Sequence, residues 1–179
     1  GVRGHLATRL IEKYDLTRDS DPQTYGIGMK ELWRVQPGKA QPGLVQHTTG
    51  WPLDSKIYGG SFIYHLDKDR IAIGFVCGLD YEDPEFTPFE AFQQMKHHPM
   101  VKDLLEGGEI LSSGARAISE GGYQSLPRCE MPGAVLVGDS AGTLNVPKIK
   151  GVHQALRSGM LAADHLAESG AAEGFDNIH

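Results

Sequence analysis

The stretch Ala134-Val-Leu-Val-Gly-Asp-Ser-Ala-Gly142, followed by Thr143–Lys150, Gly151 and a helical pattern, decides how the chain is interpreted. Its first four residues, Ala134–Val137, are apolar and fit a short buried strand. A glycine and an acidic residue follow at the carboxyl end of that strand, which is the edge where open α/β sheets bind ligands. The stretch therefore predicts a strand–loop–helix unit with Asp139 at a binding edge.

The residues around Asp139 suit a hydroxylated cofactor. A carboxylate accepts hydrogen bonds from polyol hydroxyls, and Gly138 and Gly142 let the backbone approach a ligand closely. The helix predicted over Val152–Glu168 begins with unpaired N–H groups and a partial positive charge, which suit an electron-rich ring edge or an anion. Small residues on this helix should let it lie close to a strand or a cofactor; they are Ala155, Ser158, Gly159, Ala162 and Ala163.

The same stretch also matches G-x-S-x-G, the nucleophile elbow of serine hydrolases, with Ser140 as the nucleophile. Such an elbow runs directly into a helix, whereas Asn145-Val-Pro147 intervenes here. Asp164 and His165 follow, but they are adjacent in the predicted helix and point in different directions. A hydrolase is therefore the weaker interpretation, and an ordinary β–loop–α binding unit without catalysis stays open.

Composition excludes few function classes. The chain has 179 residues and a net charge of -6, without a dense Lys/Arg cluster, which argues against nucleic-acid binding. Cys77 and Cys129 form no C-x-x-C pair, so they predict buried thiols rather than a zinc or iron–sulfur site. The chain opens with Gly1-Val-Arg-Gly4 instead of Met, and we expect it to be an internal piece of a longer protein.

Short β-favouring runs separated by Gly, Pro and Asp predict an antiparallel sheet of about four strands. The runs are Met29–Val35, Leu44–Thr49, Ser61–Leu66 and Ile71–Cys77, with Ile110–Ile118 as a possible further strand. Helical spacing predicts three more helices, over His5–Tyr14, Pro88–Lys96 and Met100–Leu105. His97 and His98 are adjacent at a helix end and predict a solvated terminus rather than a metal site.

Eleven short sequence segments, called words below, are spread over most of the chain and carry a family resemblance. They are Arg3-Gly-His-Leu-Ala7, Pro22-Gln-Thr-Tyr-Gly-Ile-Gly28, Lys30-Glu-Leu-Trp33, His47-Thr-Thr-Gly-Trp-Pro-Leu-Asp54, Tyr58-Gly-Gly-Ser-Phe62, Gly78-Leu-Asp-Tyr81, Lys96-His-His-Pro99, Leu105-Glu-Gly-Gly108, Gly114-Ala-Arg-Ala117, Glu120-Gly-Gly-Tyr-Gln-Ser125 and Asn145-Val-Pro-Lys-Ile-Lys-Gly151. Together and in this order, they resemble the electron transfer flavoprotein–ubiquinone oxidoreductases.

The resemblance implies the architecture of the chain. Members of that family have an FAD domain, a quinone domain and a [4Fe-4S] domain, and this chain resembles the middle of the sequence. The implied fold is α+β, with an antiparallel sheet and helices attached to part of a glutathione-reductase-like FAD-binding domain. Residues 1–24 and 119–179 would be FAD-domain segments, and residues 25–118 the ubiquinone-binding domain. Ligands of the [4Fe-4S] cluster would lie outside this chain.

The resemblance also implies the site residues. Asp139 would bond the ribityl chain of FAD, and the end of the long helix would meet the pyrimidine edge of the flavin. The FAD-binding residues so implied are Arg3, Gly138, Asp139, Gly142, Gly151, Val152, His153 and Gln154. Tyr58, Gly59 and Gly60 would contact the quinone, because bare glycine backbone can reach a ring carbonyl. The alternative for these glycines is a hairpin or bulge pair.

The implied activity is electron transfer. Electrons from reduced electron transfer flavoprotein would pass through the cluster and FAD to ubiquinone, with the protein tuning potentials and positions. The implied location is peripheral, on a bacterial cytoplasmic membrane or the mitochondrial inner membrane, through segments outside this chain. The piece alone is expected to be inactive. Another FAD-dependent oxidoreductase of related fold is the nearest alternative.

Overall fold

The computed structural model describes residues 1–169 of the chain. They form two compact units, one comprising Gly26–Arg116 and the other combining Gly1–Tyr25 with the residues from Ala117 onward. The domain boundaries expected after residues 24 and 118 lie close to these limits. Residues 170–179, the end of the predicted segment 119–179, lie outside the described residues.

The elements are numbered in chain order. The helices of the described residues are α1 (His5–Tyr14), α2 (Pro88–Lys96), α3 (Pro99–Leu105) and α4 (Val152–Ser169). The strands are β1 (Tyr25–Arg34), β2 (Val45–Thr49), β3 (Gly59–His65), β4 (Arg70–Gly78), β5 (Glu109–Ser119), β6 (Glu130–Met131) and β7 (Ala134–Val135). Short 3-10 turns cover Tyr123–Ser125, Gly138–Ser140 and Val146–Lys148. The bounds of α1 and α2 are as predicted, and α3 and α4 are each one residue longer than predicted.

The unit of residues 26–116 is built on a five-stranded sheet. Its order is β2-β3-β4-β1-β5, and the pairs β2–β3, β3–β4 and β4–β1 are antiparallel. This confirms the predicted α+β class and adds β5 to the four strands expected. β1 begins at Tyr25 rather than Met29, because Gly26 and Gly28 pair with Gly78 and Val76 of β4. Glycine has a low intrinsic preference for strands, but pairing with β4 places Gly26 and Gly28 in β1.

One face of this sheet carries the core, and α2 and α3 cover it. Alternate residues of β3, among them Ile63, are buried, as expected for a strand with one face inward. Ile73 and Phe75 of β4 join the same cluster, together with residues of both helices. Phe75 stacks on Phe92 of α2 with ring centroids 6.1 Å apart. The helices are therefore held to the sheet by apolar and aromatic packing.

A buried ion pair fixes the end of α2 against β1. Glu31 is 6% exposed, and its carboxylate lies 2.9 Å from the Lys96 ammonium. The indole N–H of Trp33 donates to the same carboxylate at 2.8 Å. The Lys96 ammonium also lies 5.0 Å from the centre of the Phe92 ring. Both charges are thus compensated at a place where solvent screens them weakly.

Two glycines of this sheet are required by close neighbours. A Cβ at Gly60 would overlap the carbonyl oxygen of Thr48 on the neighbouring strand β2. A Cβ at Gly74 would overlap the ring of Phe62, which covers that position from β3. Both glycines therefore have a packing role that does not depend on any ligand.

The other unit has a smaller core. Leu16, Met131, Leu136 and Ala141 are buried together. The apolar side of α1, with Ala7, Leu10, Ile11 and Tyr14, packs against them. This core places α1 beside the turn that follows β7.

The strand predicted over Ala134–Val137 is shorter and less buried than expected. β7 covers only Ala134–Val135, both residues are half-buried, and its antiparallel partner in the described residues is the two-residue β6. Without a longer neighbouring strand the ladder cannot extend. The chain enters the 3-10 turn Gly138–Ser140 directly after Val137.

Replacing Lys96 by Met should destabilise the unit of residues 26–116 by about 3 kcal/mol, because it leaves the Glu31 carboxylate buried without its cation. The measurement is urea unfolding of the full-length protein, followed by tryptophan fluorescence and circular dichroism. The exposed Arg70–Asp67 pair of the same unit provides the control. Arg70→Met should cost at most about 1 kcal/mol. Equal losses in the two variants would contradict the importance given to the buried pair.

Gly60→Ala should destabilise the same unit by about 1–3 kcal/mol, because the new methyl group meets a backbone carbonyl that cannot move aside. Gly114→Ala is the matched control, since a Cβ at this strand glycine would meet nothing within 4 Å. It should be neutral or stabilising by up to about 1 kcal/mol. The same unfolding assay compares the two, and a Gly60→Ala protein as stable as the Gly114→Ala protein would refute the packing account.

Candidate functional site

A cavity of about 180 Å³ lies in the unit that contains the Gly138–Ser140 turn. Its walls come from α1, from the residues before β1, from the end of β5 with the segment after it, and from the turn itself. The lining residues are Val2, Ala7, Thr8, Ile11, Glu12, Thr17, Gln23, Tyr25, Ser119, Ser125, Pro127, Asp139, Ser140, Ala141 and Gly142. Hydroxyl, amide and carboxylate groups therefore surround a small space with apolar patches.

The turn that carries Asp139 is held by α4. Gly138 has a φ of +56°, and its N–H donates to the Ser158 hydroxyl at 2.9 Å. A Cβ at Gly138 would lie 3.0 Å from the Cβ of Ala155. The predicted close approach of the helix is thus present at Ala155 and Ser158, and it orients Asp139 toward the cavity.

The small-residue face of α4 is narrower than predicted. Ala163 is exposed, and a Cβ at Gly159 would meet nothing within 4 Å. Ala162 is half-buried. Gly159 lies one turn after Ala155 on the same face, so the close contact covers only the part of that face formed by Ala155 and Ser158.

Gly142 closes the turn and shapes the cavity wall. Its φ is +83°, a conformation that glycine adopts without strain. A Cβ there would lie 2.9 Å from Gln23 Nε2 and 3.4 Å from Ser119 Oγ. The absence of a side chain therefore lets Gln23 and Ser119 come close to the turn.

Two distant segments build the wall opposite Gly142. Gln23 Oε1 accepts from the Gly121 N–H at 2.7 Å, and Ser125 Oγ donates to the Pro22 carbonyl at 3.0 Å. The Glu120 N–H donates to the Thr24 carbonyl at 2.8 Å. Sequence reasoning assigned no site role to these residues, although they belong to the words Pro22–Gly28 and Glu120–Ser125 of the resemblance. Their common site becomes visible only through contacts about 100 residues apart.

The start of α4 does not line this cavity. Among the predicted FAD-binding residues, Gly151, Val152, His153 and Gln154 stand apart from the lining residues, and the Val152 side chain is 76% exposed. Gly138 also does not line the cavity; it begins the turn that carries Asp139 and bonds to Ser158. The guanidinium of Arg3 lies 5.7 Å from the ring centre of Tyr25, which does line the cavity. The structure thus brings Asp139 and Gly142 together in the cavity and leaves the helix end on a separate surface.

The surroundings of Ser140 differ from those of a hydrolase nucleophile. Ser140 ends a 3-10 turn, and residues 141–151 separate it from α4. Its hydroxyl lies 3.1 Å from the backbone nitrogen of Gly1. Asp164 and His165 both belong to α4 and differ in burial, as expected for adjacent helical residues. The strand–turn–helix context of a nucleophile elbow is therefore absent here.

Tyr58, Gly59 and Gly60 lie in the other unit, at the beginning of β3. The Tyr58 side chain is 56% exposed, and its carbonyl accepts from the Gly78 N–H at 2.8 Å. A Cβ at Gly59 would overlap the Val76 carbonyl oxygen on β4. The glycine pair is thus part of the sheet itself rather than of a hairpin turn.

Neither metal-binding clusters nor membrane-spanning helices occur in residues 1–169. These residues hold no group of three or more His, Cys, Asp or Glu side chains that could bind a metal. His97 and His98 are exposed, and His98 Nδ1 accepts from the Met100 N–H at 3.3 Å, which makes it the cap of α3. Cys129 is half-buried, and burial raises the pKa of its thiol. No helix in this part of the chain combines the length and apolar character needed to cross a bilayer.

The residues of the cavity fit the polyol part of FAD. Asp139 is exposed at the cavity and can accept hydrogen bonds from ligand hydroxyls. Gly142 provides a cradle that any side chain would fill. Carboxylate, hydroxyl and amide groups suit a neutral, hydroxylated chain. The donor and acceptor set therefore agrees with the group that the resemblance implies.

Comparisons with known structures reveal the same fold at low sequence identity. A geranylgeranyl bacteriochlorophyll reductase-like protein from Thermoplasma acidophilum matches with a TM-score of 0.65 and 19% identity, over 87% of this chain and 36% of that chain. The flavin-dependent brominase Bmp2 matches with a TM-score of 0.60 and 18% identity, over 98% of this chain and 44% of that chain. The flavin-dependent halogenase CmlS has a TM-score of 0.60 and 16% identity, over 90% and 29% of the two chains.

Sequence comparisons give much higher identity. The chain is 54% identical over 168 residues to the mitochondrial electron transfer flavoprotein-ubiquinone oxidoreductase of Sus scrofa, covering 93% of this chain and 27% of that protein. It is 52% identical over 180 residues to the electron transfer flavoprotein-ubiquinone oxidoreductase of Pseudomonas aeruginosa, covering 99% and 33%. The chain thus spans about a third or less of the length of these curated relatives.

A family model described as "ETF-QO, ubiquinone-binding" matches residues 25–118, which is more than half of the chain. The match contains β1–β4, α2, α3 and all of β5 except its last residue. The chain therefore belongs to the electron transfer flavoprotein–ubiquinone oxidoreductase family.

Proposed function

We propose that this chain is the part of an electron transfer flavoprotein–ubiquinone oxidoreductase that holds one side of FAD and contacts the quinone. In the whole protein, electrons from reduced electron transfer flavoprotein pass through a [4Fe-4S] cluster and FAD to ubiquinone. FAD supplies the redox chemistry by accepting electrons and passing them on. The observation that carries the proposal is the cavity at Asp139 and Gly142, in a chain 54% identical to the Sus scrofa relative.

Asp139 binds the ribityl chain of the cofactor. The Gly138–Ser158 hydrogen bond and the contact with Ala155 hold the turn in place, so the carboxylate needs little reordering on binding. Gly142 leaves the room that the polyol requires. Asp139 thus acts by position and hydrogen bonding and takes no part in electron transfer.

The start of α4 faces the pyrimidine edge of the flavin. The first N–H groups of a helix are unpaired and carry a partial positive charge. At Gly151, Val152, His153 and Gln154 these groups, with the Gln154 amide, donate to a ring edge that gains negative charge on reduction. Such donors stabilise the reduced ring and raise its potential. The exposure of Val152 supports a role toward a group outside the described residues.

Tyr58, Gly59 and Gly60 contact the quinone. The exposed ring of Tyr58 offers an apolar face, and Gly59 and Gly60 are partly exposed at the beginning of β3. Because β2 and β4 hold the glycines in place from both sides, this backbone is rigid. A rigid bare backbone can meet a ring carbonyl without steric conflict.

The cluster, the partner protein and the membrane belong to the whole protein. The cysteine ligands of a [4Fe-4S] cluster lie outside this chain, which has only two cysteines. Relatives are named as mitochondrial or come from a bacterium, so the location proposed is a mitochondrial inner or bacterial cytoplasmic membrane. The membrane contact is peripheral and uses segments outside this chain. Nucleic acid is not a partner, in keeping with the net charge of -6.

Asp139→Ala in the full-length protein should weaken FAD binding about ten- to a hundredfold, because a hydrogen bond to a charged group is lost. FAD retained after purification and the dissociation constant from flavin-fluorescence titration measure the effect. Ser140→Ala is the neighbouring control and should retain FAD.

Unchanged FAD content in Asp139→Ala would refute the role of this carboxylate. The same two variants test the hydrolase. A colourless full-length protein that cleaves an activated ester, and loses this activity in Ser140→Ala, would overturn the proposed function.

A further inference from the structure

Ser119 carries a buried hydroxyl without a partner. The residue ends β5 and is 3% exposed. Within the described residues its Oγ makes no hydrogen bond, a property shared with only one other buried side-chain atom, Nε2 of His65. Buried hydroxyls are nearly always hydrogen-bonded in folded proteins, because an unpaired one loses its interaction with water without compensation. Ser119 Oγ is therefore available to bind a ligand atom.

The space beside this hydroxyl belongs to the cavity. Ser119 and Gly142 both line it, and a Cβ at Gly142 would lie 3.4 Å from Ser119 Oγ. Because Gly142 has no side chain, Ser119 Oγ lies close to the turn that lines the cavity. A serine hydroxyl turns about a single side-chain torsion, so a group seated beside Gly142 is within its reach.

Gln23 offers a second donor to the same space. Its Oε1 is occupied by the Gly121 N–H at 2.7 Å, which fixes the orientation of the amide. Its Nε2 has two protons, and the bond to the Ser125 carbonyl, at 3.5 Å, is long and occupies one of them. Nε2 would lie 2.9 Å from a Cβ at Gly142, so the amide packs against Gly142 and lines the cavity together with Ser119.

The charge of the cavity selects the kind of group. Glu12 and Asp139 are its ionisable acids, and none of the described lining residues is Lys or Arg. A phosphate would be repelled by the two carboxylates and would meet no cation. A neutral hydroxyl fits, because it can accept from the Gln23 amide and donate to Ser119 Oγ at once.

We propose that Ser119 binds one hydroxyl of the ribityl chain of FAD in the cavity beside Gly142, with the Gln23 amide as a donor to the same hydroxyl. The proposal rests on the proposed function and adds a contact that the Gly138–Gly142 turn alone does not provide. Asp139 and Ser119 then hold the same polyol from two sides, through β5 on one side and the α4-supported turn on the other.

Ser125 is the matched control, since it is also a buried serine of this cavity, at 4% exposed. Its hydroxyl is satisfied within the protein, by the carbonyls of Pro22 and Gly121. Ser125→Ala should therefore lower the thermal unfolding midpoint of the flavin-free full-length protein. Ser119→Ala loses no internal hydrogen bond and should leave that midpoint unchanged or raised. A midpoint lowered equally in both variants would overturn the proposal.

Binding is measured with FAD and with three analogues, each lacking one ribityl hydroxyl. In the unmodified protein, and in Ser125→Ala, one analogue should bind roughly three- to tenfold more weakly than FAD because its hydroxyl is missing. In Ser119→Ala that analogue and FAD should bind equally, within about twofold. A merely structural role of Ser119 would weaken all four ligands alike and would contradict the proposal.

Asp139→Asn separates this inference from the proposed function. If Asp139→Asn weakens FAD binding while Ser119→Ala binds all four ligands as the unmodified protein does, then water is the partner of Ser119 and only this inference fails. If neither substitution changes FAD binding, the proposed function of the cavity fails as well.

Discussion

The close approach of α4 to Gly138 is the constraint on which the position of the turn carrying Asp139 depends. The Gly138 N–H is held by the Ser158 hydroxyl, and Ala155 leaves no space for a side chain at position 138. A glycine with positive φ is the residue that satisfies both conditions. The turn therefore has one arrangement, which presents Asp139 to the cavity and leaves Gly142 at its wall. A bulkier residue on either side would move the carboxylate before any ligand binds.

The unit of residues 26–116 also contains glycines that are required by close neighbours. Gly60 and Gly74 are required by a carbonyl of β2 and by the ring of Phe62, so the sheet is tightly packed at both positions. On the opposite, core side of the sheet, Glu31 and Lys96 lock α2 to β1. The sheet is thus tightly packed around the start of β3, and its core face is covered by α2.

Sequence reasoning reached Asp139 and Gly142 because both lie in one short local pattern. It assigned no site role to Gln23 and Ser119, since they meet only across about a hundred residues of chain. Its assignment of the start of α4 to the flavin ring stays a prediction, since Val152 is exposed outside the cavity. The loop 143–150 separates this helix end from Asp139 and folds back on itself through the Asn145–Lys150 bridge.

The sequence by itself determined the helices, the strands of the larger sheet, the fold class and the family, because spacing, turn residues and family words are local properties. Tertiary structure decided that β5 joins the sheet and that the strand before Gly138 stops at Val135, since a strand lasts only as long as a neighbour pairs with it. It also decided which polar groups share a cavity. Burial and hydrogen-bond partners depend on distant segments, so the unpartnered hydroxyl of Ser119 cannot be predicted from the sequence.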